Sequence, residues 1–179
     1  MVVMRLIPVS KYNYYNKCKG REEFLLTKIK NFYSIEQLYN TNFSCIPDKK
    51  GIYIVKKSKQ KKIEFSMDTT AIKEYQNKSM IYDVNVLNDK FDKSDKEILY
   101  IGKAGGKKNK LKQRIRQYVR YGYGEVNNHR GGRAIWQIAD SKSLLLGFIE
   151  CGNPEKIEKE LLEEYESKYK VLPIANWRK

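Results

Sequence analysis

The sequence predicts a single α/β domain of the α+β kind. It should contain a small, mainly antiparallel sheet of about three core strands, flanked by helices and carrying a basic insertion. Three observations lead there. Short apolar runs at "GIYIVKK" (from Gly51), "ILYIGKA" (Ile98 to Ala104) and "SLLLGFIEC" (Ser143 to Cys151) are each bounded by turn residues or charge, as strands are. Helical spacing of apolar residues follows the second and third runs. The chain of 179 residues is long enough for one well-cored domain and short for two.

The elements follow in order. "REEFLLTKIKNF" (21–32) has helical spacing at Phe24, Leu25, Ile29 and Phe32. Ser34 and Gln37 form a capping box for a second short helix, and "IPDKKG" (Ile46 to Gly51) is a turn into the first strand. Residues 58–96 are polar and lysine-rich, with "KKIEFSM" and "SMIYDVNVL" as two candidate strands. The strand at Ile98–Ala104 is followed by the basic loop "GGKKNK" and a helix of about three turns, with Leu111, Ile115, Tyr118 and Val119 on one face. Tyr121 to Arg133 is a glycine-rich loop, and "AIWQIA" a helical turn. Asn153 and Pro154 supply a cap and a first-turn proline for a last helix over about 155–170, and Pro173 ends it.

Charge narrows the function. Thirty-six Lys plus Arg against 21 Asp plus Glu give a net +15, which points to a polyanionic partner or to a lysine-rich compositional bias. No run is long and apolar enough for a membrane span. Cys18, Cys45 and Cys151 are scattered and there is one histidine, His129, so neither a disulfide framework nor a zinc site is expected, and the expected compartment is the cytoplasm. "GGKK" lacks the glycine spacing and the Ser/Thr of a P-loop.

Two helices carry candidate chemistry. On the last, Ile157, Leu161, Leu162, Tyr165 and Tyr169 form an apolar stripe, and Glu158 falls inside it. A carboxylate there needs a cation, a metal or a donor, so Glu158 is either an internal ion-pair partner or a metal or catalytic group. On the helix after the second strand, Arg114 borders the apolar face one turn before Tyr118. That pair suits a phosphate oxygen, or else Arg114 simply covers the helix surface.

Gly51-Ile52-Tyr53 and Tyr100-Ile101-Gly102, then Lys103, Arg114 with Tyr118 four residues on, Glu158 in "EKELL" and Asn176 in "LPIAN" stand in one order along the chain. In this the chain resembles the GIY-YIG nuclease superfamily, over Gly51 to Asn176. Either tripeptide alone recurs by chance; the ordered set is specific. The resemblance implies phosphodiester hydrolysis at one Mg²⁺, with Mn²⁺ able to substitute, held by Glu158. Tyr53 and Tyr100 would flank the scissile phosphate. One of them, assisted by Lys103, would take the proton from the attacking water, which requires a depressed phenol pKa. Arg114 and Tyr118 would hold the phosphate. His129 and Asn176 are further candidates.

The two tyrosine motifs stand farther apart than in that family, so residues 58–97 read as an insertion, residues 1–50 as an N-terminal helical extension and 51–179 as the core. Compact restriction enzymes of the superfamily share such a layout. The expected partner is DNA, most simply double-stranded, contacted by Lys56, Lys57, Lys107, Lys108, Lys110 and Arg133. A double-strand break would need a homodimer or two encounters. A non-catalytic nucleic-acid-binding protein on the same scaffold is the alternative; a basic protein on a ribosome or membrane surface would account for the charge but not for the ordered motifs.

Overall fold

The computed structural model describes residues 27–58, 62–106, 108–126 and 131–179. Its central strand, β2 (Gly51–Lys56), is buried at every residue but the last. A strand can be apolar throughout only if both of its faces are covered, and that is its position. It lies between β5 (Ile98–Ala104) and β6 (Leu145–Glu150), antiparallel to both, and β1 (Phe32–Ser34) completes a four-stranded sheet on the far side of β6. The domain is mixed α/β, with helices α1 (Ile35–Asn40), α2 (Val84–Lys93), α3 (Leu111–Gly122) and α4 (Pro154–Tyr169). A small hairpin, β3 (Glu74–Tyr75) with β4 (Lys78–Ser79), stands apart from the main sheet. Among the described residues, no helix is long and apolar enough to cross a membrane.

The two sheet faces have different cores. Tyr53 and Val55 point to the side covered by Leu111, Ile115, Tyr118 and Val119 of α3 together with Trp136. Ile52 and Ile54 point to the other, covered by Leu161, Leu162 and Tyr165 of α4. A register shift opposite Val55 and Lys56 interrupts the alternation of β5, so Leu99 and Tyr100 both face the α3 side. Leu99 is the residue that the shift turns; Tyr100, paired with Val55, shares a face with Tyr53 by ordinary alternation, while Lys103, paired with Ile52, points to the α4 side.

The outer edge of β5 is closed by the C-terminal segment. Ile101 N–H donates to Asn176 Oδ1 at 3.0 Å, Asn176 Nδ2 donates to Ile101 O at 2.8 Å, and Ala175 N–H donates to Leu99 O. One asparagine thus does for this edge what another strand would do.

Three expectations change. Phe32 is in a strand, not in the helix read over 21–32, of which only Thr27 and Lys28 are helical among the described residues. Phe32 pairs with Gly147, and a Cβ there would lie 2.6 Å from both the Phe32 and Ile29 side chains, so the pairing needs that glycine. "SMIYDVNVL" is not a strand: Asp83 caps α2, accepting from Asn85 N–H at 2.7 Å. "KKIEFSM" contributes only the isolated bridge of Phe65 to Ile138. The capping box of Ser34 with Gln37 is formed as expected.

The segment inserted between β2 and β5 is bound tightly to the core. Gln137, almost fully buried, accepts from Tyr82 N–H at 2.7 Å and donates to Tyr82 O at 2.8 Å. Thr69 and Thr70 donate to the carbonyls of Trp136 and Gly122, and Ala71 and Leu87 join the α3-side core.

Candidate active site

Three tyrosines meet where β2, β5 and α3 converge. Ring centroids are 5.8 Å apart for Tyr53 and Tyr100, 5.5 Å for Tyr100 and Tyr118, and 6.0 Å for Tyr53 and Tyr118. Gly102, directly opposite Tyr53, makes this convergence fit: a Cβ there would lie 2.5 Å from Tyr53 Cζ, 2.7 Å from its hydroxyl and 2.9 Å from the Tyr100 ring. Gly132, at φ +68°, is the second close approach, 3.0 Å from Tyr100 and Tyr118 by the same measure. Tyr118 donates to Gly132 O at 3.4 Å.

The Tyr53 hydroxyl is buried and has no well-aligned hydrogen-bond partner. Arg114 and Tyr100 lie close enough to favour its ionised form, but neither satisfies it geometrically. Arg114 is half-buried, and none of the ion pairs among the described residues includes it. A cation with unmet donors beside a hydroxyl without a partner is a receptor for an anionic oxygen.

On the other face of β5, Lys103 Nζ lies 2.8 Å from Glu158 Oε2 and 3.5 Å from Glu155 Oε1. The Glu158 side chain is 14% exposed. Of the two sequence readings of this residue, the ion pair is therefore present. The hydrogen bond that the Lys103 ammonium donates to Glu158 holds it above its usual range, so Lys103 acts as a cation and not as a proton acceptor. The Glu158 charge nonetheless reaches the Tyr53 hydroxyl through the edge strand, since it opposes phenol ionisation there.

The tyrosines themselves correct an expectation. Burial raises all three phenols, Tyr100 and Tyr118 well above the ordinary value and Tyr53 also upward; Arg114 offsets only part of the effect at Tyr53. Desolvation outweighs the neighbouring cation, so the phenols are neutral at pH 7 and not depressed.

Two clefts meet at Lys103. One, of about 640 Å³, is lined by Lys50, Lys103, Asn109, Arg114 and Glu155; the other, of about 470 Å³, by Tyr100, Lys103, Glu158 and residues of the insertion and C-terminal segment. Lys50 and Asn109 carry no pattern visible in the sequence; they flank the junction where Gly51 packs against Leu111 and Leu111 N–H donates to Lys49 O.

The remaining sequence candidates scatter. Asn176 borders the second cleft, but its amide is spent on Ile101. Lys56 is not on the cleft: it pairs with Glu97 at 3.1 Å and lies over the Phe32 ring, at the opposite end of β2 from Gly51. Lys57 follows it there, bonded through its backbone to Glu97 O. Lys110 pairs with Asp48 at 2.9 Å, and Lys108 is exposed on the loop before α3. Arg133 contacts Met80 and Tyr82 and lines the second cleft. His129 and Lys107 lie outside the described residues.

Among the described residues no group of three or more His, Cys, Asp or Glu side chains could hold a metal. A lone carboxylate is not a zinc set, but it is compatible with Mg²⁺, which keeps most of its waters and needs one or two carboxylates. Glu158 is the side chain that would hold such an ion, in exchange for Lys103. No family model, curated protein or solved structure matches this chain.

Proposed function

We propose that this chain is a Mg²⁺-dependent DNA endonuclease of the GIY-YIG type, in a restriction, defence or repair role. The observation that carries the reading is the unsatisfied, buried Tyr53 hydroxyl beside an Arg114 guanidinium without a carboxylate partner. The hydroxyl is poorly explained by packing, because leaving it unmet in the interior costs free energy that a bound phosphate, drawn in by the half-exposed Arg114, would recover.

In this reading Arg114 takes two oxygens of the scissile phosphate through its planar fork, and Tyr53 donates to a third position. Lys103, released from Glu158, adds a second positive charge on the opposite side of β5. A divalent cation on Glu158 would polarise the phosphate and acidify a bound water. Ionisation is opposed less at Tyr53 than at Tyr100: burial opposes both and Arg114 favours both, but Tyr100 also carries the opposition of Tyr53 and Tyr118. Carrying its own proton, Tyr53 serves as a donor to the phosphate, and it would accept a proton from the attacking water only after first losing that one. Tyr118 holds the ring cluster in place, with its hydroxyl donating to Gly132 O.

The second reading, a nucleic-acid-binding protein without turnover, draws on the Lys103 and Glu158 ion pair, which leaves the carboxylate engaged. Plasmid nicking separates the two. Nicking in Mg²⁺ that stops in EDTA and in Glu158→Ala is the expected result. Nicking that persists in EDTA overturns the metal mechanism, and DNA binding with no nicking by the unmodified chain favours the second reading.

A further inference from the structure

The second cleft has a wall that the nuclease chemistry does not use. Opposite Tyr100, Lys103 and Glu158 it is lined by Tyr82 from the insertion, Arg133, and Trp177 from the C-terminal segment. Tyr82 and Trp177 stack with centroids 4.5 Å apart and planes 17° from parallel. Arg133 Cζ lies 5.5 Å from the Tyr82 ring and Lys90 Nζ 4.2 Å from the Trp177 ring. Both aromatic residues are anchored through their own backbone or that of a neighbour. Gln137 holds the Tyr82 peptide groups, and the Lys90 ammonium donates to Ile174 O and Asn176 O beside Trp177.

Arg133 is half-buried, and none of the ion pairs among the described residues includes it. One nitrogen meets the Met80 sulfur at 2.8 Å, another meets the Tyr82 hydroxyl at 3.4 Å, and Nε is buried with no partner. A thioether and one long phenol contact leave most of its five-donor capacity and all of its charge uncompensated. Trp177 is 42% exposed at the same cleft, a large aromatic surface next to that charge. A cation fork beside an aromatic surface matches a nucleotide, with a phosphate and a planar base. The cleft volume of about 470 Å³ suits a molecule of that size and not a duplex.

We infer that Arg133, Tyr82 and Trp177 form a subsite for one unpaired nucleotide adjoining the cleaved bond. Arg133 binds its phosphate, and the open part of Trp177 packs against its base. This gives the insertion a role, since Tyr82 carries one side of the subsite. The inference rests on the nuclease reading for its ligand class, but its test does not depend on cleavage.

The chain has two tryptophans; Trp136 is buried at 3% and Trp177 is the exposed one. Emission is titrated in EDTA with a thymidine pentanucleotide. Saturable quenching that disappears in Trp177→Phe is expected. Arg133→Gln should bind about tenfold more weakly, with the salt slope reduced by about one, and Arg133→Lys should restore that slope. Melting curves confirm that each variant is folded; if Arg133→Gln is not, the salt slope of Arg133→Lys and the Trp177→Phe comparison carry the test. Absence of quenching, unchanged affinity in a folded Arg133→Gln, or equal affinity for inorganic phosphate overturns the subsite. Equal quenching by a duplex of the same sequence overturns the unpaired nucleotide. Quenching without plasmid nicking leaves the subsite standing and removes the nuclease reading; nicking without quenching does the reverse.

Discussion

Lys103 Nζ and Glu158 Oε2 are 2.8 Å apart, one on the edge strand β5 and the other on the buried stripe of α4. The same carboxylate cannot fully serve a lysine ammonium and a divalent cation, so on the proposed reading the two would compete. Lys103→Met should tighten Mn²⁺ binding several-fold, measured by calorimetry, while lowering nicking because a phosphate-side charge is lost. Weaker Mn²⁺ binding in that variant would show that the ion pair holds Glu158 in place for the metal and does not compete with it.

Arg114 is expected to be more than a generic cation. Replacing it with Ala should lower the nicking rate by about 10²–10³, and Lys should recover little, because a point charge cannot make two parallel bonds to one phosphate. Full activity in Arg114→Lys would reduce its role to plain electrostatics.

Gly102 stands where two rings cross. Gly102→Ala places a methyl group 2.5 Å from Tyr53 Cζ, so the ring must move or the strand must shift. Overpacking of this kind costs about 1–3 kcal/mol, read as a lower denaturation midpoint, with nicking lost even where the variant is folded. An unchanged midpoint would mean that the rings have room to separate.

Asn176→Ala leaves the Ile101 N–H and C=O on the edge of β5 without partners. Buried groups of this type cost about 1–3 kcal/mol when unmatched. Denaturant unfolding measures the loss, and nicking by the folded fraction should survive, because the amide bonds the strand and not the substrate.

Alkaline pH should unfold the chain early. Tyr53, Tyr100 and Tyr118 keep their protons to higher pH in the folded state, because burial raises all three. The unfolded chain releases those protons near pH 10. Above that value the unfolded state binds fewer protons, so stability falls as pH rises, whereas below it these groups make no pH-dependent contribution. Tyrosinate absorbance for the three should appear together with loss of helix signal. A gradual titration in the folded chain would contradict their burial.

The local pattern of the chain reveals β2, β5, β6, α3 and α4, because each carries its own periodicity, cap or bounding turn. It also isolates Glu158, since a charge inside an apolar stripe is visible without any partner. Phe32, in the helical pattern of 21–32, and residues 79–87, in a strand-like pattern, depart from that pattern for a physical reason, the latter because Val84–Lys93 is helical. The first is a strand only because Gly147 of β6 accepts its ring; the second is a helix whose only buried residue is Leu87, too little for an apolar stripe to signal.

What the sequence by itself determined is the set of groups with chemical capacity: two tyrosines beside glycines on strands, an arginine one turn from a third tyrosine, a carboxylate on a buried face. Only the tertiary structure decided what each group senses. The pairing of β5 with β2 put Tyr100, opposite Val55, on the side of Tyr53 and sent the ammonium of Lys103, opposite Ile52, to Glu158. Burial reversed the expected direction of the phenol shifts, and Arg133 came to rest against Met80 and Tyr82. Periodicity travels along the chain, but desolvation and Coulomb forces act through space, and the spacing of residues does not encode them.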